Sequence, residues 1–190
     1  ILYENPHSSM ICQELTEDYT GLTDRYTEHL HEKCPPFVRE APAFFRRGER
    51  KFLLTSGTTG YFPNPSRVDE IDSFHGEWKK LGDPCRSDTG RNSFHAQFSS
   101  VFRHPLKKDV YIALGDRWLT DLPPQMPDIC KVFHGLFDSS APKIATNADL
   151  QTYSDENTSE AKYVWLPIRF DENGVPYIEW AHEWRWEDFE

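Results

Sequence analysis

The chain has 190 residues, with 21 basic against 31 acidic side chains and a formal net charge of −10 with histidine neutral. That balance disfavours a nucleic-acid backbone or an anionic membrane surface as partner, because both are held by clustered Lys and Arg. Mean hydropathy is −0.71, yet 14% of the residues are aromatic, too many large apolar side chains for a disordered chain.

The chain opens on Ile1-Leu2-Tyr3-Glu4 without an initiator Met, which reads as a strand already in progress and predicts a fragment or a processed chain. Ile1 to Pro6 lack the basic start and apolar core of a signal peptide, and no apolar run approaches the roughly 18 residues of a membrane helix. Period-two patterning and short apolar runs predict strands over Ile1 to Glu4, Met10 to Leu15, Ala43 to Phe45, Lys51 to Ser56 and Arg67 to Ile71. The same signals predict strands over Gln97 to Phe102, Val110 to Leu114, Tyr163 to Phe170 and Pro176 to Trp180. Arg46-Arg47-Gly48-Glu49-Arg50 and Asp171-Glu172-Asn173-Gly174 read as hairpin turns, the second through the positive φ that Asn-Gly supplies. The fold class is therefore all-β and mainly antiparallel, and patterning alone leaves sandwich, barrel and propeller open. Asp121 to Asn157 breaks the pattern with Pro, Asp and Ser, carries a short helical stretch at Pro127 to Phe137, and reads as an insertion between two strands.

The cysteines, Cys12, Cys34, Cys85 and Cys130, are widely spread with no C-x-x-C pair, and read as buried thiols. His29 and His31 alternate as a strand would place them, and a bare H-x-H is more often a solvated strand than a ligand pair. No metal is assigned and no cofactor is expected.

Three segments suggest chemistry. In Arg39-Glu40-Ala41-Pro42, a carboxylate stands before an apolar strand on a proline-restricted backbone, a setting in which burial raises its pKa and suits it to general acid work. Against this, Glu40 is one of many acidic residues. Thr55-Ser56-Gly57 to Asn64-Pro65 is small, hydroxyl-rich and aromatic-punctuated, which fits either a polyol contact or an ordinary turn. Trp118, Trp165, Trp180, Trp184 and Trp186, with Tyr61, Tyr163 and Tyr177, offer faces on which sugars stack, although most such rings are core.

Five segments in order, Arg39-Glu40-Ala41-Pro42, Thr55 to Pro65, Ser93-Phe94-His95-Ala96-Gln97, Gly115-Asp116-Arg117-Trp118 and Tyr163 to Pro167, resemble family 43 glycoside hydrolases, in the branch of exo-β-1,3-galactanases and related β-galactosidases. The resemblance implies a five-bladed β-propeller with an axial pocket and hydrolysis with inversion. Five blades of roughly 40 to 50 residues need about 200 to 250 residues, so residues 1–190 are expected as a partial propeller catalytic domain of about three to four blades, with 121–157 inserted and the family's early aspartates upstream of Ile1. Glu40 matches the general acid, and Gln97 the glutamine to which the galactanase branch gives the water-positioning role of the usual base. Thr58, Thr59 and Asn64 match the loop bordering the sugar, and Tyr61 stands where the family often has Trp. Asp116 and Arg117 match a segment that either orders the pocket or forms a buried ion pair, and Trp165 is expected in the core. The implied substrate is non-reducing-end galactose, or arabinose, on plant-type polysaccharide side chains. The implied location is secreted or extracytoplasmic. A sugar-binding propeller without catalysis, or an inactive fragment, is the alternative, and open blade edges are expected to permit self-association.

Overall fold

The computed structural model describes residues 1–122, 128–144 and 158–189. Three antiparallel sheets follow one another in chain order. The first holds β1 (Leu2–Asn5), β2 (Ser9–Leu15) and β3 (Leu22–His29) in the order β1-β2-β3. The second holds β4 (Arg39–Arg47), β5 (Arg50–Gly57), β6 (Arg67–Ile71) and β7 (Trp78–Gly82), and the third holds β8 (Gln97–Arg103), β9 (Tyr111–Arg117), β10 (Lys162–Phe170) and β11 (Pro176–Ile178). Each is a meander in which sequential strands pair, and none closes into a barrel. The second and third sheets have four strands each, whereas the first has three.

Two strands, β3 and β7, escape the sequence prediction. Both lie at the edge of their sheets and read Leu-Thr-Asp-Arg-Tyr-Thr-Glu-His and Trp-Lys-Lys-Leu-Gly. An edge strand with solvent on one side carries charge to discourage further pairing, and that charge erases the apolar alternation. His29 closes β3, so His31 lies beyond the strand rather than on a shared face.

Packing explains the remainder. β5 runs Phe52-Leu53-Leu54 with all three side chains buried, as a central strand covered on both faces should. Its Phe52 and Leu54 join Phe98, Ala113, Leu166 and Ile168 in the core between the second and third sheets. Along β10, Val164, Leu166 and Ile168 are buried. Trp165 is not the core residue expected: it is 51% exposed, because the period of two turns it to the opposite face, where it meets the edge of Phe102. Gly174 takes φ +70 and closes the β10–β11 turn as the Asn-Gly pair predicts.

The insertion expected over 121–157 lies partly outside the described residues. Within it, α1 (Ile129–Phe137) is capped by Asp128, whose Oδ1 accepts from Lys131 N at 3.2 Å. Ile129 and the Phe133 ring pack on Phe62, which seats the helix over the loop between β5 and β6. Cys12, Cys34 and Cys85 are buried, Cys130 is half-buried, and all four are free thiols.

Candidate active site

Glu40 is the second residue of β4. Pairing runs Glu40 opposite Ser56, then shifts before Ala43 meets Leu54, so Ala41 and Pro42 form a bulge. Ala41 sits at φ +49, in the left-handed region that costs an L-residue roughly 1–2 kcal/mol. Glu40 thus lies inside the strand rather than ahead of it, and the proline acts by shaping the bulge that re-aims the carboxylate. Burial pushes the Glu40 carboxyl above its ordinary range, the hydrogen bond from Gln97 opposes that shift, and the nearby Glu4 charge on β1 adds to it.

Gln97 opens β8 and reaches across to the second sheet. Its Nε2 donates to Glu40 Oε1 at 3.0 Å and to Ser56 Oγ at 2.7 Å. The amide orientation is the one in which an NH₂, not a carbonyl, faces the carboxylate. Oε1 is left as an acceptor without a partner among the described residues. β1, β4, β5 and β8 therefore converge on one polar cluster.

Gln97 is delivered by a left-handed turn. Arg91, Ser93, Phe94 and His95 have φ between 51° and 60°. Such a run persists only where surrounding bonds over-determine it. Asp88 Oδ2 accepts from Asn92 N at 2.7 Å and Phe94 N at 3.3 Å, and Asn92 Oδ1 accepts from His95 N at 3.2 Å. Ser93 Oγ accepts from Ser66 N at 2.8 Å and donates to Asn64 O at 2.8 Å, which ties the turn to the neighbouring loop.

That loop, 57–65, contains the residues matched to a sugar contact. Asn64 Oδ1 accepts from Gly57 N at 2.6 Å, and its Nδ2 donates to Gly57 O at 3.0 Å and to Thr59 Oγ1 at 2.7 Å. Thr59 is fully buried and donates to Phe62 O. The close approach explains Gly57: a Cβ there would stand 2.5 Å from Pro36 O. Thr58 is also buried, and its hydroxyl has no hydrogen-bond partner among the described residues. Tyr61 alone of the four is exposed, edge-on to Trp118.

Asp116 and Arg117 separate in role. Asp116 stands opposite Gln97 in the β8–β9 register, which places the two side chains on one face of the sheet. Arg117 donates Nε to Phe94 O at 3.0 Å and lies 5.0 Å from the Trp180 ring centre, so it supports the left-handed turn. The ion pair between Asp116 and Arg117 does not form among the described residues. Sequence reasoning gave no role to Arg39, Ser56 and Ser93, although each stands in a quoted segment, and it did not reach Asp88. Arg39 is buried, donates to Thr55 Oγ1, Thr55 O and Pro65 O, and burial holds its pKa down to about 10. Arg39, Ser56 and Ser93 fall in segments matched for their neighbours, and no spacing marks Asp88. A separate cleft, lined by Arg39, Asn64, Arg67, Asp83, Arg91 and His134, lies away from Glu40 and Gln97.

No family model matches the chain, and no curated protein matches it. Solved structures do. A family 43 β-1,3-galactosidase, BT3683, solved with galactodeoxynojirimycin, is 26% identical over 94% of this chain and 40% of its own, with a TM-score of 0.66. A second family 43 β-1,3-galactosidase, BT0265, is 25% identical over 96% of this chain and 30% of its own, also at 0.66. An exo-β-1,3-galactanase from Clostridium thermocellum shares the fold at 20% identity and a TM-score of 0.57, over 90% of this chain and 29% of its own. The chain thus spans well under half the length of these three proteins.

Proposed function

We propose that this chain, which carries the fold of part of a family 43 glycoside hydrolase catalytic domain, is the acid-bearing later part of an inverting glycosidase that releases galactose from non-reducing ends of plant-type polysaccharide side chains. The observation that carries this reading is the contact of Glu40, a half-buried carboxyl with a raised pKa, with Gln97 on a separate sheet. Galactose is preferred over arabinose because two of the matched structures are named as β-1,3-galactosidases and one as an exo-β-1,3-galactanase. Each sheet is read as one blade of a five-bladed propeller of which this chain supplies about three, and the strands β1, β4 and β8 face its axis.

In this reading Glu40 gives its proton to the glycosidic oxygen as the bond from that oxygen to the anomeric carbon breaks. The raised pKa keeps that proton in place at higher pH than an exposed glutamate would. Water attacks the opposite face, donating a hydrogen bond to Gln97 Oε1, and its proton leaves to solvent. Inverting pairs stand about 6.5–9.5 Å apart to admit sugar and water. The 3.0 Å contact leaves no room for sugar and water between the two side chains, so this reading requires Gln97 to part from Glu40 when substrate binds.

The test is Glu40→Gln in the catalytic domain that contains this chain. Hydrolysis of β-1,3-galactan should fall by about 10²- to 10⁴-fold, and an activated aryl galactoside, which needs little protonation, should lose less. Equal rates for variant and parent on both substrates would remove Glu40 from the acid role.

A further inference from the structure

We propose a divalent-metal site, fitted to zinc, made by Cys34, His134 and Asp138, none of which belongs to the Glu40 cluster. One ligand atom from each of these residues lies within 4.8 Å of the other two. Cys34 and Asp138 are buried and His134 is half-buried. His134 and Asp138 occupy i and i+4 at the end of α1, so the helix itself holds imidazole and carboxylate on one face. Cys34 arrives from the segment that leads into β4.

The donor set is the first argument. Thiolate, imidazole and carboxylate together suit zinc, and three protein ligands leave a fourth tetrahedral position for water. Zinc bonds of about 2.0–2.3 Å place tetrahedral ligand atoms roughly 3.2–3.8 Å apart, so small side-chain adjustments draw the three atoms onto one ion.

The second argument is that a cation already stands there. Lys33 Nζ donates to Asp138 Oδ2 at 2.5 Å, and His134 Nε2 lies 3.5 Å from the same oxygen. Asp138 Oδ1 meanwhile accepts from Ser140 N at 2.9 Å and Ser140 Oγ at 2.6 Å, which fixes the carboxylate. The Lys33 side chain is 73% exposed, so it can swing into water and yield Oδ2 to a metal. On binding, Cys34 loses its S–H proton to solvent and the sulfur becomes the ligand. His134 also lines the cleft beside α1, which gives an ion its way in. Loading the site ties α1 to the segment that leads into β4.

Cobalt(II) titration of the full chain under a thiol-free reductant tests this. The parent should take up one equivalent and develop the ultraviolet charge-transfer band of a thiolate–cobalt bond, and zinc should displace the cobalt. Cys34→Ser should abolish the band, and His134→Ala should weaken binding at least about tenfold. Lys33→Met, a surface change that removes the competing ammonium, should tighten binding. A parent without the band, a band that survives Cys34→Ser, or a Lys33→Met chain that binds no more tightly would overturn the site.

Discussion

The 57–65 loop and the 88–97 turn both flank the contact between Glu40 and Gln97, and their polar groups have different freedom. In the loop, Asn64 uses both ends of its amide on Gly57 and Thr59, and Thr59 bonds Phe62. In the turn, the strained backbone is pinned by Asp88, Asn92 and Ser93, and the residue it presents, Gln97, keeps an acceptor without a partner among the described residues. A hydroxyl- and amide-rich sequence can therefore be scaffold, while a turn with no sugar-like signature presents the side chain that meets Glu40. What distinguishes the two is free hydrogen-bonding capacity near the surface, not residue type: the unpartnered hydroxyl in the loop, on Thr58, is buried, whereas Gln97 is half-buried.

Asn64→Ala breaks the loop side of this comparison and should have the largest effect on stability. It leaves Gly57 N buried without its partner and removes three hydrogen bonds, a loss of about 3 kcal/mol. Urea unfolding of the variant measures it. A loss under about 1 kcal/mol would mean that the amide is not the brace and is free to meet a ligand.

Gln97→Glu probes the other side. A second carboxylate within hydrogen-bond reach of Glu40 should raise the pKa at which the pair gives up its last proton by about 1–2 units. The alkaline limb of the kcat/KM profile, which reports the free enzyme, should move up by the same amount. An unmoved limb would show that the two side chains are apart in the free enzyme as well. Titration also bears on stability. Glu40 is raised in the folded state, so the folded protein binds more protons than the unfolded chain and stability falls as pH rises through that window. Glu40→Gln should accordingly unfold at a higher temperature than the parent near pH 7, with the difference fading toward pH ~4.

Thr58→Val sharpens the comparison with a smaller effect. The Thr58 hydroxyl is buried and unpartnered, so replacing it with a methyl of similar size should raise stability by about 1 kcal/mol and leave KM unchanged. A several-fold rise in KM would instead assign that hydroxyl to the substrate, after a shift of the loop.

The central strands were legible because burial on one or both faces imposes a pattern, as in β5 and β10. β3 and β7 were not, because edge strands answer to solvent and carry charge. In the site, the motif containing Glu40 pointed to a carboxylate under proline restraint, but not to the bulge that aims it. The Gln97 contact spans 57 residues and depends on how β4 and β8 meet, which no local pattern encodes. Cys34 and His134 are farther apart still, so a search for ligand spacing finds neither.

The smallest expected effect concerns the bulge itself. Ala41 at φ +49 bears a Cβ that crowds the preceding backbone, and glycine relieves roughly 1–2 kcal/mol of that strain. The same change loosens the unfolded chain, which returns about 0.5–1 kcal/mol. Ala41→Gly should therefore be more stable than the parent by about 0.5–1 kcal/mol, read by urea unfolding. The freed backbone should also hold Glu40 less firmly, so kcat should fall while KM stays level. A variant that is less stable than the parent would mean that the Ala41 methyl packs usefully in the bulge. One that gains stability with no change in kcat would mean that the carboxylate is aimed by Gln97 and Ser56 alone.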